Sequence, residues 1–333
     1  MQTLMKSTRA YRLLKAEADK RRFSHAYLLL MDDSRNLRTA LKAFAKVLFG
    51  CDEAVDGRKK TVADRIDAET YTDCLFFPEN GKKFVVDDAE RVTEESVLQP
   101  VEGDIKVFVI ADFAEANAAS QNKLLKMLEE PPQGVIFLLG ATTAFPVLQT
   151  VLSRVAKLEI PPFQTEEVTN FLRRTYADKP YTNTDFELCG AASGGSVGAA
   201  QNMLEDGDYK ALVDDAFSLC LASKNTLPTL VRKIGETKHK KELLFLLRVI
   251  FRDATIEKSL SVKGRILLQS EKIRLQQVAN TYRLPTLLYA QKQISEAEQQ
   301  VTFNAYFPQC IEILIAKILQ KNTENTRLFS DVS

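Results

Sequence analysis

The chain has 333 residues, of which 45% are hydrophobic and 27% are charged, and its formal net charge is +1. This length and composition are typical of a folded protein of two or three domains, and a charge near zero excludes a global field that would attract nucleic acid or a membrane. The first residues are polar and charged, and no run of about 18 apolar residues occurs. We therefore expect no signal peptide, no membrane span and a cytoplasmic location.

Cysteine and histidine usage argues against a metal centre. The chain has two histidines and five widely spaced cysteines, with no CxxC pair that could form half of a zinc site. The thiols are expected to be reduced and buried as small apolar side chains, and no metal is expected. The cysteines are Cys51, Cys74, Cys189, Cys220 and Cys310.

The first half of the chain alternates strand-like and helix-like patterns. Apolar runs of strand length occur at residues 26–30, 106–111, 135–140 and 155–160. Helical periodicity occurs at residues 37–49 and 114–130, and Pro131 ends the second helix because a residue before proline is pushed out of the α region. The polar segment 52–72 is predicted to be a surface excursion. This alternation predicts a parallel sheet covered by helices on both faces.

After Pro162 the pattern is helical. Thr165, followed by two acidic residues, predicts a capped helix start, and Gly194-Gly195 predicts a break. We expect three domains: an α/β domain over 1–162, a helical lid over 163–207 and a helical collar over 208–333. A wide apolar arc near the C-terminus is expected to be buried either against another subunit or within the collar, and consists of Ile311, Leu314, Ile315 and Ile318.

Two motifs carry a family resemblance. Residues 122–132 read NKLLKMLEEPP, and residues 150–155 read TVLSRV. In this order the chain resembles the AAA+ clamp-loader family of bacterial DNA polymerase III, and within it the delta-prime type of subunit. The resemblance runs over most of the chain and is densest between Lys106 and Pro162. It implies a RecA-like AAA+ domain, a small helical lid and an all-α collar that serves oligomerisation.

The same resemblance implies partners and a task. The partners would be the ATPase subunits (gamma/tau) and the delta subunit, and indirectly the sliding clamp and primed DNA. The task would be to help to load the clamp onto that DNA. Five short basic clusters are either phosphate contacts or solvated surface, and the sequence leaves these alternatives open.

The segment after the first strand has lost the phosphate loop of an ATPase. A working loop, G-x-x-x-x-G-K-[ST], wraps the phosphates with backbone N–H groups and neutralises them with its lysine. Here Asp32 and Asp33 add negative charge instead. We therefore expect no nucleotide and no cofactor. The degenerate positions are Met31, Ser34 and Asn36 for the glycines, Leu37 for the lysine and Arg38 for the Ser/Thr.

Two further ATPase elements are eroded. After the strand at 106–111, an acidic pair would hold the metal and its water, but the chain has Ala111 and Asp112. Asp112 is either a helix N-cap, the interpretation that we favour, or a catalytic remnant. In the lid, Gly198 stands where ATP-binding relatives carry an arginine. The isolated chain is therefore expected not to be an enzyme.

Ser153 and Arg154 survive in the second motif. In the family, this pair places an arginine finger at the ATP of the adjacent subunit, where a guanidinium neutralises charge on the transferred phosphoryl group. A surface ion pair is the alternative, although no acidic partner is obvious in the sequence around Arg154. The expected function is a non-ATP-binding stator that works in trans. The alternatives are an active ATPase subunit with an unusual loop, and a non-replicative AAA-like scaffold or DNA-binding protein.

Overall fold

The computed structural model describes residues 1–55, 57–259 and 266–330, with side chains up to Glu324. The chain separates into two compact units, Met1–Pro162 and Phe163–Ser333. The first unit contains the sheet, and the second unit is helical. The division of the second unit into lid and collar stays a prediction.

Within the described residues, the strands form one five-stranded sheet of order β2-β3-β4-β1-β5, and every neighbouring pair is parallel. The four predicted strands are confirmed, and those at 106–111 and 135–140 are adjacent. The edge strand β2 was not predicted, because four residues are too few to show a period. The strands are β1 Ala26–Met31, β2 Cys74–Phe77, β3 Lys106–Ile110, β4 Val135–Ala141 and β5 Ala156–Ile160.

Helices connect these strands. The helices of the first unit are α1 Gln2–Ser7, α2 Arg9–Asp19, α3 Ser34–Leu48, α4 Gly57–Asp67, α5 Val86–Ser96, α6 Ala118–Glu129 and α7 Gln149–Leu152. The segment 52–72, predicted to be a surface excursion, is mostly exposed, but it contains the helix α4, which was not predicted; only Ala63 and Ile66 of this helix are buried, so its period is faint. The helix predicted from 114 begins at Ala118, where the Asn117 side chain accepts a hydrogen bond from Ser120 N at 2.9 Å.

The two faces of the sheet are covered by different helices. Along β4, Phe137 and Leu139 belong to a core cluster that includes Leu124 of α6. The next residue along the strand, Gly140, faces α3, since a Cβ atom built on it would approach Leu41. Successive side chains of a strand point to opposite faces, so helices lie on both sides. The predicted α/β class is confirmed.

The second unit contains helices in its described residues. They are α8 Thr165–Thr175, α9 Asn183–Ala192, α10 Val197–Asp206, α11 Tyr209–Cys220, α12 Leu227–Ile234, α13 Lys240–Lys258, α14 Lys272–Thr281, α15 Leu284–Thr302 and α16 Phe307–Ser330. Helix α9 packs on both α11 and α13, so the predicted lid and collar share contacts. No helix in the described parts of the chain is long and apolar enough to cross a membrane.

Two local predictions in the second unit need correction. Gln164, not Thr165, precedes the first turn of α8, and its N–H donates to the Glu167 carboxylate at 3.0 Å. The four apolar residues predicted to form the C-terminal arc have no surface left for another subunit, because they are at most 2% exposed within this chain: Ile311, Leu314, Ile315 and Ile318. The alternative, that they pack within the helical unit, is correct. The break at Gly194-Gly195 is confirmed, with both glycines at positive φ.

The close approach of α3 to β4 gives the first testable prediction. A Cβ atom on Gly140 would lie 2.7 Å from Leu41 Cδ1, in a buried place. We expect Gly140→Ala to destabilise the chain by about 1–3 kcal/mol through overpacking. Urea unfolding followed by far-UV circular dichroism measures the effect. Gly103→Ala is the matched control, because its Cβ would meet its nearest atoms at 3.8 Å. Equal midpoints for the two variants would contradict this packing.

Candidate functional site

The start of α3, where a phosphate loop would bind, is capped by its own chain. The Asp33 carboxylate accepts hydrogen bonds from Asn36 N at 3.1 Å and from Asn36 Nδ2 at 3.0 and 3.2 Å. A helix N-terminus attracts anions through its free N–H groups and its dipole. Here a buried carboxylate already serves as that anion.

The loop positions that would carry glycines and lysine serve packing. Met31 ends β1 and is buried, and Leu37 is fully buried in the first turns of α3. Ser34 is exposed at the first position of the helix. A lysine at position 37 would have to leave the core to reach a phosphate, whereas the apolar side chain of Leu37 packs within the core.

Arg38, at the Ser/Thr position, is held by a carboxylate. Its Nε and Nη2 donate to the two oxygens of Glu69 at 2.7 and 2.5 Å, and its Nη1 donates to the Pro78 carbonyl at 2.9 Å. This bidentate geometry is the strong form of an arginine–carboxylate pair. Hydrogen bonds from Arg38 are the main reason that the pKa of Glu69 falls to about 2.

The remnant of the metal-binding strand end does not act as predicted. Ala111 is buried directly after β3. Asp112 adopts a left-handed conformation with φ 51°, before a 3-10 turn at Phe113–Glu115. Its side chain makes no capping hydrogen bond, so the N-cap prediction is wrong. Burial, followed by the nearby charge of Glu115, raises the pKa of Asp112.

Gly198 lies in the second unit. It is buried in the first turn of α10, which is capped by Ser196 Oγ accepting from Ala199 N at 3.3 Å. A glycine has no side chain that could contact a phosphate. This position therefore contributes packing rather than a cation.

Arg154 lies between α7 and β5 and has an acidic partner. Its Nη2 is 2.5 Å from Glu129 Oε1, and its Nη1 donates to the Thr150 carbonyl at 2.7 Å and to Ser153 Oγ at 3.1 Å. Ser153 Oγ in turn donates to Thr150 O at 3.0 Å. The expectation that Arg154 has no acidic partner is wrong, because α6 carries Glu129 there. The arginine side chain is still 32% exposed.

These two groups of residues lie at opposite ends of the parallel strands. The capped loop and Asp112 follow the carboxyl ends of β1 and β3, whereas Arg154 precedes the amino end of β5. The strands are parallel, and five to seven residues span roughly 15–20 Å. Arg154 is therefore turned away from the nucleotide position of its own chain.

A buried glutamine fixes the loop that leads to α7. Gln121 Nε2 donates to Ala116 O at 2.9 Å and to Pro146 O at 3.1 Å, and its Oε1 accepts from Leu148 N at 2.8 Å. The sequence analysis missed this residue. Its spacing to Leu124 and Leu128, three and seven residues, could have placed it on the buried face of α6.

The comparison with family models decides the class of protein. Residues 6–164, which are nearly the whole first unit, match the family model "DNA polymerase III, delta subunit". The match places the first unit of the chain in the delta family of DNA polymerase III clamp-loader subunits. The recognition of a clamp-loader subunit is confirmed at this level.

Individual relatives of this clamp-loader subunit are distant. It is 23% identical over 286 residues to DNA polymerase III subunit gamma of Buchnera aphidicola, covering 78% of each chain. It is 27% identical to subunit tau of Escherichia coli, covering 45% of this chain but only 24% of that one. A solved gamma-subunit-related protein of Thermotoga maritima has a TM-score of 0.42 at 16% identity, covering 94% of this chain and 99% of that one.

Acidic side chains surround a basic residue elsewhere on the clamp-loader subunit. Asp206, Asp208 and His239 have potential metal-ligand atoms within 4.8 Å of one another. However, Lys238 Nζ lies 2.8 Å from Asp206 and 2.9 Å from Asp208. The single ammonium group of Lys238 contacts both carboxylates and offsets one of their two negative charges, so Lys238, which lies in one of the five basic clusters, is engaged in ion pairs. The five cysteines are free and buried, as expected.

The Arg38–Glu69 pair gives a pH-dependent prediction. The pKa of Glu69 is lowered in the folded state, so its contribution to stability is present above the unfolded value near 4.5 and is lost as the pH falls towards about 2. We expect Glu69→Gln to cost about 1 kcal/mol at pH 7, since a quarter of the side chain is exposed and solvent screens the pair.

Urea unfolding at pH 7 and near pH 3 measures this cost. The difference between the variant and the parent should shrink at the lower pH. Glu79→Gln is the control, because Glu79 pairs with Lys82 on the surface with both side chains more than 60% exposed. An equal Glu69→Gln difference at both pH values would contradict the ion pair.

Proposed function

We propose that this clamp-loader subunit is a delta-prime-type stator. It binds no ATP, assembles with the ATPase and delta subunits, and supplies Arg154 in trans to the nucleotide of a neighbour. The complex would place the sliding clamp on primed DNA in the cytoplasm. The observation that carries the proposal is the separation of a self-capped loop and a partly exposed arginine at opposite edges of one sheet.

Three features support the absence of nucleotide binding in cis. The Asp33 carboxylate occupies the helix N-terminus, the lysine position is an apolar core residue, Leu37, and the cation of Arg38 is bound to Glu69. A triphosphate would have to displace or approach two carboxylates without gaining a lysine. The repulsion by the carboxylates and the absence of a lysine both oppose the binding of a triphosphate.

An active ATPase subunit is the second candidate, because the curated relatives named above are gamma and tau subunits. It would require the loop to open and Arg38 to leave Glu69 when ATP arrives. A scaffold without replication partners is not favoured by the match to the delta family.

A titration of the isolated chain separates the first two candidates. We expect no saturable binding of Mg·ATP by calorimetry at submillimolar ligand, because the phosphate position is occupied by the Asp33 cap. A reconstituted ATPase subunit serves as the positive control. Tight magnesium-dependent binding by the isolated chain would contradict the stator and support the active subunit.

The finger is tested in the assembled complex. Arg154→Ala should leave folding and assembly intact, because its half-exposed pair with Glu129 contributes only about 0.2–1 kcal/mol. DNA-stimulated ATP hydrolysis should nevertheless fall, because loss of a finger slows the site that it serves by roughly 10³–10⁵. The fall in total turnover should be partial, since other interfaces keep their own sites.

Arg154→Lys should rescue hydrolysis poorly, because an ammonium group cannot reproduce the planar fork. Arg9→Ala, at an exposed arginine of the same unit outside the basic clusters, is the control and should hydrolyse ATP at the parent rate. Assembly is checked by gel filtration before the rates are compared. If the intact Arg154→Ala complex hydrolyses ATP at the parent rate, the finger proposal is wrong, and only the role of a passive scaffold remains for this chain.

A further inference from the structure

Glu129 contacts the side chain proposed above as the finger. Its Oε1 lies 2.5 Å from Arg154 Nη2, while Thr150 O and Ser153 Oγ accept from Nη1. Each terminal nitrogen of the guanidinium thus has an acceptor in this chain. A flexible arginine is here restrained at both ends of its planar fork.

The sequence fixes Glu129 in this place. It is the last residue of α6, and the two prolines after Glu130 prevent the helix from continuing. Helix α6 leads to the amino end of β4, and Arg154 precedes the amino end of β5, so both residues come to the same edge of the parallel sheet. Glu130, the neighbouring acid, is exposed and has no ion pair among the described residues.

The exposure of the pair suits a role in orientation. Glu129 is 47% exposed and Arg154 is 32% exposed, so the contact adds little to folding stability. A guanidinium has five N–H donors, and three hydrogen-bond acceptors in this chain leave donors for a second anion. An anion that approaches from outside would therefore meet a cation already held in one orientation, which reduces the entropy lost on contact.

We propose that Glu129 is a positioning residue for Arg154. Its carboxylate holds the guanidinium in one orientation near the amino ends of the strands. The phosphoryl group of a neighbour's nucleotide then meets a guanidinium whose planar fork is already oriented. This inference rests on the proposed function of Arg154 in trans. It adds that the glutamate of the LEEPP motif acts through the arginine, without itself touching the nucleotide.

The test uses the reconstituted complex and a double-mutant cycle. The variants are Glu129→Gln, Glu129→Asp, Glu130→Gln, Arg154→Ala and the double variant of Glu129→Gln with Arg154→Ala. ATP hydrolysis is measured against ATP concentration to separate kcat from KM, after assembly has been checked. Glu130→Gln controls for the loss of one exposed carboxylate next to the site.

Glu129→Gln should slow hydrolysis at the site that Arg154 serves by roughly two- to fivefold, so that the total kcat falls by less than in Arg154→Ala and KM is unchanged. Glu129→Asp should recover part of the loss, and Glu130→Gln should match the parent. In the Arg154→Ala background, Glu129→Gln should have no further effect. That last result marks action through the arginine, which a merely structural residue would not produce.

The outcomes separate the two proposals. If Arg154→Ala slows hydrolysis but Glu129→Gln matches or exceeds the parent, the positioning role is wrong and the finger stands. An equal loss from Glu129→Gln with and without Arg154 also overturns the positioning role. If Arg154→Ala itself hydrolyses ATP at the parent rate, both proposals are wrong.

Discussion

The common direction of the five strands is the constraint on which every motif of this chain depends. All carboxyl ends meet at one edge of the sheet and all amino ends at the other. The phosphate-loop remnant must therefore lie at the first edge, and the Ser153-Arg154 pair at the second. No rearrangement of one loop can bring them together, because the strands between them are hydrogen-bonded core. In such a chain, Arg154 can contact a neighbouring subunit more readily than the phosphate-loop position of its own chain.

The residues at the phosphate-loop position make several internal contacts. Asp33 caps α3, Leu37 fills the core, and Arg38 ties α3 to Glu69 and to the Pro78 carbonyl. These contacts are those expected where a helix start serves structure rather than catalysis. The same helix packs so closely on β4 that a Cβ atom at position 140 would lie 2.7 Å from Leu41 Cδ1. Such close packing of α3 on the sheet is what we expect of a subunit whose conformation changes little.

Much of the first unit could be predicted, because buried parallel strands are continuous apolar runs such as 106–111 and 135–140. The four-residue strand β2 could not, and α4 has too narrow a buried face to show a period. The partners of the site residues were missed for a different reason. Glu69 reaches Arg38 from the turn after α4, and Glu129 reaches Arg154 from the end of α6, so neither pair is local in sequence. The second pair was accessible in principle, because both residues lie on segments that lead into the amino ends of parallel strands.

The central claim is that the nucleotide near Arg154 belongs to another subunit and that this chain holds none. A spin label on Gln149→Cys, an exposed position of α7, and Mn²⁺·ATP in place of Mg²⁺·ATP make this measurable by electron–electron dipolar spectroscopy. The label is selective because the native thiols are buried and burial raises their pKa values, that of Cys51 to about 11. The account predicts no manganese–label coupling in the isolated chain and a short, defined distance in the assembled complex. A defined manganese–label distance in the isolated chain would contradict the account. The lack of such a distance in a complex that hydrolyses ATP would contradict it as well.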